Sequence, residues 1–157
     1  MTHPAGLSQE MADMVVQTLR QGARRDLPDA RVLELDREDE FQHDLIRTLL
    51  SPEVGLHLIF LPEDVGGLGG GARDICRISE EMAAVDLGVA TAFLAICLGT
   101  DPILVGGTPE QKARWLGRIA AEGLIVAYGV TEPAAGSNVA ALQTRAQPVR
   151  DASGVVE

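Results

Sequence analysis

Apolar residues recur at intervals of three and four through most of the chain and then give way to an unbroken run. Met11, Met14, Val15 and Leu19, with Ser8 ahead of them as a helix N-cap, predict an amphipathic helix ending near Gly22. Residues 24–36, which include Pro28, read as a loop from which Val32, Leu33 and Leu35 can pack onto the body. Glu38, Asp39 and Glu40 suit the positive end of a helix macrodipole. Together with Phe41, Leu45, Ile46 and Leu49 they predict a second helix, stopped by Pro52.

Ile75, Ile78, Met82 and Val85 are spaced three, four and three and predict a third helix, with Asp86 as the cap of its successor. The fourth helix, over residues 87–98, is apolar nearly all round. The small side chains of Ala90, Ala92 and Ala95 permit close packing, so it is expected at the centre of the domain. A fifth helix is bounded by Thr108 as N-cap, Pro109 at the first helical position, Gln111 as the capping-box partner and Gly123 just past the end. From Leu124 onward strand formers replace helix formers. Residues 124–131 and 142–146 read as strands, and 155–157 as the start of a third. The domain boundary falls between residues 123 and 124.

A chain of 157 residues with 46% hydrophobic content can bury a core. The net charge of -10 argues against nucleic-acid or anionic-membrane partners, which would be repelled at long range. Cys76 and Cys97 lack the spacing of a zinc or redox pair and read as reduced thiols, which favours a cytoplasmic location. The N-terminus shows neither a secretory nor a transit pattern, and the apolar run 87–98 is too short to span a bilayer. His43 and His57 have no third ligand in view, so no metal site is expected.

Two stretches invite a chemical reading. LIFLPEDVGGLGGG, at residues 58–71, has the glycines of a phosphate loop but lacks both the Lys-Ser/Thr of a P-loop and a strand before a GxGxxG. It reads as a loop that lets helices approach closely. YGVTEPAAGSN, at 128–138, reads as a strand running into a turn. There Ala134, Ala135, Gly136 and Ser137 let a flat ligand approach the backbone, and Thr131 and Ser137 offer hydroxyls. By composition alone a plain turn between strands accounts for it as well.

YGVTEPAAGSN resembles the strand-and-loop motif of the acyl-CoA dehydrogenase family, with Asn138 in place of the family's closing Asp. The Pro-Glu and glycines of 62–71, and GGTPEQKARWLGRIAAEG at 106–123, match further family segments in the same order. The resemblance implies a mostly α fold: an N-terminal helical domain over 1–123, then the first strands of an incomplete β domain over 124–157. It also implies an FAD-dependent oxidoreductase acting on the α–β bond of acyl-CoA thioesters in fatty acid metabolism. An electron-transfer flavoprotein or similar acceptor and homo-oligomeric assembly of the complete protein come with the family.

By motif position, Tyr128, Val130 and Thr131 would lie along the flavin, and Gly136 and Ser137 would border flavin and thioester, with Ser137 also touching substrate. The fourth helix would wall the acyl pocket. The family's catalytic carboxylate belongs to a C-terminal helical domain, so no catalytic residue is expected here and the chain alone should be inactive. Glu132 sits in the motif, but the family keeps a Glu there in addition to its base, and it reads as a structural hydrogen-bonded carboxylate. A helical binding module without catalysis is the alternative from another class. Acyl-CoA oxidases and flavin monooxygenases share the fold.

Overall fold

The computed structural model describes residues 6–149. Six α-helices follow one another: α1 (Gln9–Asp26), α2 (Asp29–Glu38), α3 (His43–Leu49), α4 (Ala72–Ala83), α5 (Leu87–Gly106) and α6 (Pro109–Glu122). Short 3-10 turns lie at Leu56–Phe60, Glu63–Val65 and Val139–Ala141. α5 is the axis of the packing, with α4 and α6 on it, α1 outside α4, and the Leu56–Phe60 turn wedged beneath. Ile59, Leu61, Ile78, Phe93, Ile96, Leu116 and Ile119 form the centre of the core, and the rings of Phe60 and Phe93 meet at 5.6 Å between centroids.

The caps explain where the helices start and stop. Ser8 Oγ accepts from the Met11 N–H, Asp86 Oδ1 from Val89, and Thr108 Oγ1 from Gln111, whose side chain answers to the Thr108 N–H. Gly123, at φ +62°, closes α6 in the left-handed region, where a Cβ would stand 2.1 Å from the Leu50 carbonyl oxygen. Asp74 Oδ2 accepts from the Gly71 N–H and also from Leu7, which ties the N-terminal arm to the start of α4.

The structure corrects several sequence expectations. α1 continues through Gly22 to Asp26, because nothing there crowds the helix and the Leu27 N–H still finds Ala23. The loop expected over 24–36 is largely the end of α1 and helix α2. Pro28 precedes the first turn of α2, where its missing N–H costs nothing, so it starts a helix rather than marking a loop. Leu35 is buried, whereas Leu33 is exposed. The acidic trio 38–40 closes α2 and fills the link to α3, with Asp39 in the left-handed region; the first turn of α3 holds Asp44 instead.

α5 runs past residue 98 and through Pro102 to Gly106. At 20 residues it is long and apolar enough, by length and composition, to cross a membrane, so the argument from a short run does not hold. Val89, Ala90, Phe93, Ile96, Gly99 and Thr100 are nevertheless buried against the other helices, as in a core helix.

The strands expected at 124–131 and 142–146 do not form a ladder. Among the described residues the β pairing is a single bridge between Glu132 and Ala135, since an extended segment becomes a strand only with a neighbour to pair with. Residues 155–157 lie outside the described residues.

Candidate functional site

The glycine loop after Pro62 is packed on the turn that precedes it. The N–H of Leu68 donates to Leu58, that of Gly69 to Leu61 and that of Gly70 to Ile59, at 2.7–2.9 Å. A Cβ on Gly67 would stand 2.0 Å from the Leu61 carbonyl oxygen, so glycine is required for the chain to double back this closely. With its amides bonded to carbonyls, the loop has no nest of free donors for a phosphate. Its glycines serve a chain reversal rather than an approach between helices.

His43 lies exposed against Phe41, while His57 is in the core. The Nε2–H of His57 donates to the Ala120 carbonyl at 3.0 Å, and burial pushes the imidazole pKa down. Its Nδ1 is buried without a partner. Among the described residues no group of three potential metal ligands gathers. Cys76 is exposed. Cys97 is half-buried, its thiol pushed up to about 11 by burial and then by Asp101.

The segment after α6 is laid against α5. A Cβ added to Gly99 would meet Val126 Cγ1 at 2.8 Å and the Ala127 carbonyl at 3.2 Å, so the small residue admits the segment at this crossing. From there the chain carries Tyr128, exposed, Val130, half-buried, and Thr131, exposed, to the turn at Glu132–Ala135. Gly136 and Ser137 follow on its exposed far side, and a Cβ on Gly136 would meet nothing within 4 Å. The five predicted residues thus lie along one mostly exposed segment, residues 128–137, that follows the crossing at Gly99. α5 itself presents Leu87, Thr91, Leu94, Leu98, Asp101 and Val105 on one exposed face, with Leu94 and Leu98 as an apolar pair between the polar Thr91 and Asp101.

Glu132 is not free. Its carboxylate accepts from the N–H groups of Gln143 and Thr144, both at 2.8 Å, and from the Thr144 hydroxyl. These bonds, the Thr144 hydroxyl first, hold its carboxyl below the usual range. A cleft of about 490 Å³ lies elsewhere, between α1, α3 and α4, lined by Leu19, Leu27, Leu45, Leu49, Met82 and Val85. None of the predicted site residues lines it.

Residues 9–123 match the family described as acyl-CoA dehydrogenase, N-terminal domain. The chain belongs to the acyl-CoA dehydrogenase family. It is 37% identical over 138 residues to the cyclohex-1-ene-1-carbonyl-CoA dehydrogenase of Geobacter metallireducens, covering 87% of this chain and 36% of that protein. It is 32% identical over 114 residues to the probable acyl-CoA dehydrogenase fadE25 of Mycobacterium bovis, covering 73% of this chain and 29% of the relative. The homologous protein of Mycobacterium tuberculosis gives the same values. The chain therefore spans about a third of the length of these curated relatives.

Proposed function

We propose that this chain forms the N-terminal part of an FAD-dependent acyl-CoA dehydrogenase, an enzyme that oxidises the α–β bond of an acyl-CoA thioester to the enoyl-CoA. The observation that carries the reading is the seating of Val126 and Ala127 on α5 at Gly99, which lays the lead-in of the motif against the central helix. In this reading the helical domain ends at residue 123, where the family match also ends, and 124–157 opens the β domain.

Residues 128–137 suit a flavin by their chemistry. Their exposed hydroxyls and small residues leave room for a flat ring, and the space around Gly136 is open. FAD, when bound, supplies the acceptor for the β hydride, which side chains do not provide. Tyr128, Val130 and Thr131 are assigned to the flavin, Gly136 and Ser137 to the boundary of flavin and thioester. The α-proton base lies outside this chain's residues, since Glu132, the one carboxylate in the motif, is occupied as an acceptor. Electron-transfer flavoprotein or a similar acceptor, homo-oligomeric assembly and a cytoplasmic location complete the proposal.

The test is a chimera in which this chain replaces the matched segment of the Geobacter relative. Bound flavin, bleached on adding cyclohex-1-ene-1-carbonyl-CoA, is the expected result. A folded chimera without flavin overturns the reading and leaves the helical binding module. The chain alone is expected to give no acyl-CoA-dependent reduction of an artificial acceptor.

A further inference from the structure

Glu132 stands at the neck of the loop that holds Gly136 and Ser137, and it bonds to the chain eleven and twelve residues downstream. Oε2 accepts from Gln143 N–H and Oε1 from Thr144 N–H, each at 2.8 Å, and the Thr144 hydroxyl donates to the same Oε1. Within the loop the backbone makes a tight turn at Pro133–Ala134: the Glu132 N–H donates to the Ala135 carbonyl and the Ala135 N–H to that of Glu132, both at 3.0 Å. Within residues 124–149 Ala135 is the buried position, 1% exposed, so the turn beside Glu132 is itself closely packed.

We infer that Glu132 is the positioning residue of this loop: its ionised carboxylate gathers the amides of Gln143 and Thr144, closes residues 133–142 into a ring, and fixes where Gly136 and Ser137 sit. What those two residues serve rests on the function proposed above; the closure does not.

An ionised carboxylate is suited to this because it is acceptor-only and its bonds to N–H groups are charge-assisted. A glutamine would turn an NH2 toward one of the donors. The bonds keep the carboxyl ionised, the reverse of what a proton acceptor working near neutrality needs. No ion pair reaches Glu132 among the described residues, and the groups that act on its titration are the Thr144 hydroxyl and the amides of Gln143 and Thr144. Arg145, the next cation along the chain, makes no ion pair with it.

The experiment uses the full chain without flavin, followed by amide NMR. The signals of Gln143 and Thr144, and with them Gly136 and Ser137, are expected to move together on acidification, with one midpoint below the ordinary glutamate value of 4.5. Glu132→Gln is expected to abolish that titration and to lower the exchange protection of the Gln143 and Thr144 amides about tenfold, with the amides of α4–α6 unchanged. Unaltered protection in Glu132→Gln, or Gly136 and Ser137 signals that ignore the titration of Glu132, overturns the inference. Should the variant fail to fold, the wild-type titration decides alone. A loop that closes in this chain while the chimera takes up no flavin removes the flavin reading and leaves the clamp.

Discussion

Gly99 of α5 and Val126 of the following segment meet so closely that a Cβ on the glycine would stand 2.8 Å from Val126 Cγ1. Alanine would gain about 1 kcal/mol of helix propensity at this interior position. The contact it creates is with a methyl of a β-branched side chain that is stiff at χ1 and with the Ala127 backbone at 3.2 Å, neither of which yields freely. Gly99→Ala is therefore expected to lower the melting temperature despite the gain in propensity. Gly99→Leu cannot be absorbed, and overpacking of about 1–3 kcal/mol should push the segment off the helix. Amide exchange is expected to rise over residues 124–127 and to stay constant in α4.

The core makes a contrasting prediction. Phe93 is 2% exposed and stacks at a tilt on Phe60, so Phe93→Ala should cost about 3–5 kcal/mol, read from denaturant unfolding. A smaller loss would mean that α4 and α6 collapse into the vacated space.

The helices of this core were legible where caps and periodicity agreed. Thr108, Pro109, Gln111 and Gly123 bound α6 as read, and Asp86 starts α5. α2 was missed because Pro28 signals a break and the start of a helix equally well, and tertiary contact through Leu35 settles the choice. Pro102 likewise does not stop α5. For the candidate site, the motif pointed to residues 128–137, but the sequence could not reveal which face of the largely apolar α5 stays uncovered. Nor could it show that Glu132 reaches residues 143 and 144, since that depends on how the chain folds back.

His57 gives a pH dependence. Its imidazole takes a proton near the ordinary value of 6.5 when unfolded and only at lower pH when buried. Between those values the unfolded chain binds more protons, so stability is full above 6.5 and falls as the pH drops, by up to about 1.4 kcal/mol per pH unit. His57→Gln should flatten the slope of urea-unfolding free energy below pH 6.5. An identical slope in the variant would assign the titration to other groups.

α1 and α4 are joined by Arg20 to Glu81 and Arg77 to Asp13 across an exposed seam. Such pairs are screened by salt. The loss of melting temperature in Arg20→Ala is expected to be small at low ionic strength and to vanish at high. A loss that persists in salt would show that the arginine stem, rather than its charge, holds the seam.

Leu94 and Leu98 are 42% and 48% exposed on the open face of α5, where they contribute little to holding this chain together. Replacing both with serine should change the stability of the chain by no more than about 0.5 kcal/mol per site. If α5 walls the acyl pocket, the same leucines are covered by substrate in the chimera, and full burial of a leucine is worth about 1.5–3 kcal/mol. Their loss should then raise KM for the acyl-CoA about tenfold or more, while flavin content stays constant because the flavin is assigned to residues 128–137. The two surfaces can be separated by the converse variant. Thr131→Val with Ser137→Ala removes hydrogen bonds worth about 1 kcal/mol each and should weaken flavin retention. An unchanged KM in the serine variant would place the acyl chain elsewhere, and unchanged flavin retention in the second would remove Thr131 and Ser137 from the cofactor site.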